Sequence, residues 1–254
     1  MLLAAGSGHA AGPLGMADIF TSLYFDGALK YRAKNSTWAD RDRLVLSNGH
    51  ICPVLYATLA HAGYFSRDKL KTLRKLGSGL QGHPHRESLP GVETTSGPLG
   101  CGLAQSAGMA LAARLDKKKW RVVCLMSDGE LDEGNTWESF LFVSKNKLSN
   151  ITAVIDRNNI QIDGKTSDVM PLEPLREKLE AFNWHVIEIN GNDFVEIKAA
   201  FANAKAHTEG PSVIIANTTP GFGVSFMENN YEWHGKAPNA AEAERALAEL
   251  RGAR

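Results

Sequence analysis

Five short apolar runs, at positions 44–46, 121–126, 151–155, 184–189 and 212–216, alternate with helix-length stretches along this chain. A strand that is apolar at nearly every position has both faces buried, and strands that alternate with helices pair in parallel through right-handed crossovers. The stretch 14–29 carries Met16, Ile19, Phe20, Leu23 and Tyr24 at helical spacing, and 53–62, 103–115, 172–181 and 193–207 read as further helices. The pattern predicts an α/β fold: a doubly wound, mostly parallel sheet flanked by helices. With 254 residues, no internal repeat and no obvious linker, the reading is a single domain over 1–254. Two long glycine-bearing loops, at 76–102 and about 218–238, interrupt the alternation. Loops of that length in a compact domain usually carry function.

The bulk properties remove several function classes. The 28 basic and 28 acidic residues cancel, so the long-range field does not favour nucleic acid or an anionic membrane. Cys52, Cys101 and Cys124 are odd in number and lie in apolar settings, which fits a reducing, cytoplasmic compartment. No apolar run reaches the roughly 20 residues of a membrane span, and Met1-Leu2-Leu3-Ala4-Ala5 lacks the basic leader and length of a signal core. The abrupt entry into Gly6-Ser7-Gly8-His9 suggests that a preceding helix is missing.

The chemistry concentrates where two of the apolar runs stop. Ser127-Asp128-Gly129-Glu130 follows 121–126, and Asp156-Arg157-Asn158-Asn159-Ile160 follows 151–155. The thirty residues from Asp128 to Asn158 suit a strand-helix-strand crossover, which sets the carboxylate and the carboxamide side by side at the carboxyl edge of the sheet. Asp128, the Asn158 side-chain oxygen and the Ile160 carbonyl would give magnesium three hard oxygens, leaving positions for a diphosphate and a water. Gly129 lets backbone approach phosphate closely, and Asp132-Glu133-Gly134 opens a helix whose first amides favour an anion. Taken singly, an Asp or Asn after a strand is ordinary turn chemistry. His9, His50, His83 and His234 stand beside glycines in loops, where an imidazole can donate to hydroxyls or exchange protons near neutral pH. His61, His85, His185 and His207 read as surface or core residues.

With these motifs in place, the sequence resembles the transketolases, members of the thiamine diphosphate enzymes. Their Gly-Asp-Gly, roughly thirty residues, Asn-Asn motif stands here as Ser127-Asp128-Gly129 through Asn158-Asn159. Ser7-Gly8-His9 through Gly15-Met16-Ala17-Asp18 follows the transketolase order, as do Trp38-Ala39-Asp40-Arg41-Asp42-Arg43 through Ser47-Asn48-Gly49-His50, Gly82-His83-Pro84, and the run from Gly91 to Gly100. The 218–223 segment and His234-Gly235 extend the match almost to the end. The resemblance implies that Asp128, Asn158 and the Ile160 carbonyl hold magnesium, with Gly129 and His50 on the cofactor diphosphate. Gly97, Pro98 and Leu99 would present backbone to the aminopyrimidine. Glu133 would lie in a proton-relay network at a subunit interface, and His9, His83 and His234 would face the reacting sugar, His234 also near the cofactor.

The resemblance also implies a partner. In the family, a glutamate of a pyrimidine-binding domain activates the cofactor, and the chain is expected to be the N-terminal subunit of a split transketolase. Its partner would be a separate C-terminal subunit supplying that glutamate, in a dimer of heterodimers acting on sugar phosphates of the pentose phosphate type. Three departures bear on the sugar: Tyr231 stands where many relatives have histidine, His85 replaces a usual glutamate, and Phe222 replaces a polar or basic residue. Ser127 departs from the cofactor motif but leaves its ligands in place. Rival readings are a 1-deoxyxylulose-phosphate synthase-like enzyme, the alpha chain of a 2-oxo acid dehydrogenase, and a noncatalytic cofactor-binding subunit.

Overall fold

In the computed structural model, which describes residues 1–252, the sheet has five parallel strands. They are β1 (Arg43–Leu46), β2 (Val122–Ser127), β3 (Ile151–Arg157), β6 (His185–Asn190) and β7 (Ser212–Asn217), in the spatial order β1-β2-β3-β7-β6. The two-residue strands β4 (Ile160–Gln161) and β5 (Gly164–Lys165) form a separate antiparallel hairpin. The helices are α1 (Leu2–Ala5), α2 (Ala11–Gly15), α3 (Ala17–Phe25), α4 (Cys52–His61), α5 (Cys101–Leu115), α6 (Gly134–Lys145), α7 (Thr166–Val169), α8 (Leu175–Ala181), α9 (Phe194–Ala206) and α10 (Ala240–Leu250). Among the described residues no helix is long and apolar enough to cross a membrane.

The central strands β2, β3 and β7 are buried along almost their whole length because both faces are covered, whereas β6 at the edge, with His185 and Glu188, is buried only at alternate stretches. Along β2, Val122, Cys124 and Met126 face a core shared with α5, α6 and α8, while Val123 and Leu125 face one shared with α3, α4 and α9. That two-residue alternation follows from strand geometry. Burial leaves polar chemistry only the strand ends and loops, and the register places Ser127 opposite Asp156, so β2 and β3 end together. A third, small core joins the two ends of the chain: Ala10 and Ala11 pack with Ile160, Val224, Met227, Trp233 and Ala246.

The expected helix over 14–29 is two helices, α2 and α3, broken at Met16. The break has a tertiary cause. The Gly15 carbonyl accepts a hydrogen bond from Asn192 Nδ2 at 2.9 Å, and a Cβ on Gly15 would lie 2.9 Å from the Thr219 carbonyl oxygen. The helix expected over 172–181 starts only at Leu175, because Pro174 is extended and sits at its N-cap. The β4-β5 hairpin and α7 add to the expected elements, being too short for periodicity to register. Helix α10 is a further addition, and Asn239 and Glu242 form a capping box at its start.

Helix α5 shows how tightly the layers meet. A Cβ on Gly102 would overlap the Cβ and hydroxyl of Ser47 at the end of β1, whereas one on Gly108, on the exposed face of the same helix, would meet nothing within 4 Å. Gly102→Ala should therefore destabilise the chain by about 1–3 kcal/mol through overpacking. Gly108→Ala should stabilise it by up to about 1 kcal/mol through helix propensity. Urea unfolding of the two variants checks both, and opposite signs are expected.

Candidate functional site at the carboxyl ends of the strands

The ends of β2 and β3 turn away from the sheet through side chains that grip neighbouring backbone. Asp128 Oδ1 accepts the Gly129 N–H at 2.8 Å, and Oδ2 accepts the Asn159 N–H at 2.7 Å, across the gap between the strands. Asn159 adopts a positive φ of 61°, which Asn tolerates better than most residues. Asn158 Nδ2 donates to Asp156 Oδ2 at 3.0 Å, and its Oδ1 accepts the Ile160 N–H at 3.0 Å. Thr218, from the loop after β7, donates to Asp156 Oδ1 at 2.5 Å. Three strand ends are thereby locked around two carboxylates.

Asp128 and Asp156 are each 1% exposed. Burial first, and then the neighbouring Asp156 carboxylate, pushes Asp128 up to about 7; burial pushes Asp156 up to about 6. Two buried carboxyls that resist ionisation are a setting that a cation would relieve. The oxygens fit a hard divalent ion: the Asp128 carboxylate, the Asn158 side-chain oxygen with its second lone pair, and the Ile160 carbonyl. Among the described residues no cluster of three or more His, Cys, Asp or Glu is placed to hold a metal. An ion here would rely on amide and backbone oxygens and on its ligand.

Beside these carboxylates opens a cavity of about 400 Å³. His9, His50, His83, Gly97, Leu99, Asp128, Gly129, Asn158, Ile160 and His234 all line it, so the structure brings these expected residues together from seven separate segments. Pro98 is exposed and lines an adjoining pocket with Ser47, Ser96 and Gln105. Glu133 is exposed at the N-cap of α6, outside the cavity and against Gly100. His61 and His85 are exposed, and His185 stacks on His207 with ring centroids 4.4 Å apart. None of these four lines the cavity.

His9, His50 and His234 form a triangle, with ring centroids 5.1 to 5.5 Å apart. Burial, followed by the charge of His234, lowers His9 to about 4 and His50 to about 3; burial also lowers His83 and His234. The cluster is thus neutral at pH 7, so each ring offers one N–H and one lone pair. The His9 Nδ1 atom is buried without a hydrogen-bond partner.

Glu130 stands inside the Asp128 motif, where nothing in the sequence assigns it a role. It is 0% exposed. Its Oε1 accepts the Gly100 N–H at 2.7 Å and the Ser47 hydroxyl, its Oε2 accepts the Ser127 N–H at 3.4 Å, and Ser47 Oγ in turn accepts the Gly102 N–H at 2.9 Å. One carboxylate therefore ties the ends of β1 and β2 to the glycine-rich segment before α5. Asp128, Asp132 and Glu133 stand in the same short stretch, so no local signal singles out Glu130.

Glu130→Ala strands several buried donors and should cost about 3 kcal/mol or more in urea unfolding. The histidines give a pH dependence. Their folded pKa values lie below the unfolded 6.5, so the stability from keeping them neutral is full above pH 6.5 and falls as pH drops through about 4. Asp128 and Asp156, whose raised pKa values act in the opposite sense over the same window, offset this in the wild type, so the effect is read by difference: as pH drops through the window, the unfolding free energy of the wild type should fall relative to that of His50→Gln.

Comparisons with known proteins bear on the family and the fold. A family model described as the thiamine diphosphate binding domain of transketolase matches residues 1–251. A subunit of the apulose-4-phosphate transketolase of Phocaeicola vulgatus is 40% identical over 244 residues, covering 96% of this chain and 86% of that protein. The 6-deoxy-6-sulfo-D-fructose transketolase subunit SqwG of a Clostridium species is 40% identical over 245 residues, covering 96% and 89%. The solved transketolase of Leishmania mexicana superposes with a TM-score of 0.92 at 35% identity, over 98% of this chain and 40% of that one. The chain thus spans most of the two subunit relatives and about two fifths of the solved transketolase.

Proposed function

The chain belongs to the transketolase family, as its thiamine diphosphate binding domain, and on that footing we propose that it is the N-terminal subunit of a two-chain, magnesium-dependent transketolase. The reaction is transfer of a two-carbon ketol unit from a ketose to an aldose, on sugars or sugar phosphates. The observation that carries the reading is one cavity in which buried oxygens at the ends of β2 and β3 face four neutral histidines. The relatives that the chain covers almost whole are named as subunits, which supports a separate partner chain. Those two names carry different sugars, so the family leaves the donor open.

In this reading Asp128, Asn158 and the Ile160 carbonyl hold magnesium, and Gly129 and His50 border the diphosphate. Gly97, Pro98 and Leu99 offer backbone to the aminopyrimidine. When bound, thiamine diphosphate supplies the electron sink for breaking a carbon–carbon bond next to a carbonyl. The chain's own contribution is positioning and proton handling. His9, His83 and His234 hydrogen-bond the sugar hydroxyls and carbonyl oxygen, and their neutrality lets each accept a proton from oxygen or return one. Glu133, exposed beside Gly100, is placed to meet a partner chain. The partner closes the cavity against water and brings the glutamate that activates the cofactor.

The division of labour is testable. Asp128→Ala should abolish magnesium-dependent thiamine diphosphate binding in a calorimetric titration. His9→Ala should bind cofactor within a few-fold of wild type but lower kcat, measured with the partner chain present, by about 10²–10⁴. Equal loss of cofactor affinity in both variants would contradict the assignment, and full ketol transfer by the chain alone would contradict the two-chain reading.

A further inference from the structure

The opposite end of the sheet holds a second, chemically distinct cavity. The starts of β2 and β3 and the helices α3 and α9 enclose about 210 Å³, with Val123, Phe201 and Ala28 as apolar wall. Its free polar groups are donors. Arg121, directly before β2, uses Nη2 toward Thr152 Oγ1 at 3.3 Å and the Ala204 carbonyl at 3.1 Å. Among the described residues nothing bonds its side-chain Nε or Nη1. Ser22 on α3 is 1% exposed, and its hydroxyl, on the cavity wall, has no partner. Lys205, from the last turn of α9, stands exposed at the rim, and no ion pair with a described residue holds it.

The two carboxylates of the wall are already engaged. Asp42 accepts the backbone N–H of Lys30 at 2.9 Å and of Arg121 at 2.8 Å. Asp26 takes Lys198 Nζ at 3.1 Å. Three cations therefore face two occupied acids, leaving a guanidinium edge, an ammonium and a hydroxyl for a ligand.

We propose that this cavity binds a small oxyanion of the orthophosphate class, at a site separate from the histidine-lined cavity at the other end of the sheet. A tetrahedral oxyanion presents several acceptors to donors arriving from different directions, and charge-assisted bonds from Arg and Lys are its strongest contacts. The volume lies below the roughly 300–1,000 Å³ of pockets that take drug-sized ligands, which selects a single anionic group over a nucleotide or a sugar phosphate. Bound there, the anion bridges α3, α9 and the starts of β2 and β3, and so stabilises the folded chain by mass action.

The test is calorimetric titration of the full chain with inorganic phosphate, at constant ionic strength and with EDTA present so that no divalent ion recruits phosphate to Asp128. Saturable one-to-one binding with a dissociation constant of about 1 mM or tighter is expected. Sulfate in place of phosphate should bind comparably, and acetate more weakly. Arg121→Gln should weaken binding at least about tenfold, and Ser22→Ala about threefold, the scale of losing a charged and a neutral hydrogen bond. Asp128→Ala should leave it unchanged. Should Arg121→Gln fail to fold, the exposed Lys205→Ala carries the test, with a loss of about threefold or more. Absence of saturable binding, equal binding by the wild type and the Arg121 or Lys205 variant, or loss of binding in Asp128→Ala would overturn the proposal.

Discussion

The carboxylate of Glu130 is the contact on which the geometry of the main cavity rests. It lies at zero exposure and takes donors from Ser47 and Gly100, on two segments distant in sequence, and from Ser127 at the end of the adjoining strand β2. A buried carboxylate is costly to desolvate, and burial does raise its pKa, so it persists only where several donors meet it at once. That requirement works in both directions. The donors fix the carboxylate, and the carboxylate fixes the loops, including the glycine segment that forms one wall beside Gly97 and Leu99. Gly102 completes the arrangement, because only hydrogen at that Cα lets α5 approach close enough for its N–H to reach Ser47.

The cavity has two halves with opposite electrostatic demands. On one side Asp128 and Asp156 are pushed toward protonation, a push that a neighbouring cation would reverse. On the other, the histidines are pushed toward neutrality, again chiefly by burial. Low dielectric is the common cause, and the result separates charge-holding from proton-exchanging groups within one space. In the function proposed above, a metal-bound diphosphate would satisfy the first half and sugar hydroxyls the second. Asp156 mediates between the halves by fixing the Asn158 amide and anchoring Thr218, at the start of the loop that carries His234.

Much of this is legible in the sequence, and the reason is physical. Central strands buried on both faces are apolar at nearly every position and the edge strand β6 keeps Val186, Ile187 and Ile189, so the apolar runs mark β2, β3, β6 and β7 within a residue or two of their observed limits, and Asp128 and Asn158 are placed by where those runs stop. Glycine beside histidine in a loop marks His9, His50, His83 and His234. Features set by tertiary contact are hidden. Nothing local to positions 14–29 shows that Gly15 must yield its carbonyl to Asn192. Nothing local to Glu130 shows that it meets Ser47 across eighty residues of chain. The Asn239–Glu242 capping box of α10 is of the other kind, local chemistry that the sequence displays in full.

The break at Met16 shows why the hidden features matter to function. By ending α2 there, the chain lets Gly15 sit against Thr219, while the Ala11 carbonyl accepts the Gly221 N–H at 2.9 Å and Asn192 Oδ1 accepts the Thr219 N–H at 2.8 Å. These contacts join the segment after His9 to the loop that carries His234, and the small core of Ala10, Ala11, Val224, Met227 and Trp233 fills the space between. His9 and His234 are far apart in sequence, yet their rings stand 5.5 Å apart because backbone from both ends of the chain is interlocked beneath them. The histidine half of the cavity thus depends on that third core, and the carboxylate half on the strand ends and Glu130. Loosening the third core would displace His9 and His234 while backbone pairing keeps the ends of β2 and β3 together, and it would reach the carboxylate half through Ile160, whose side chain packs in that core.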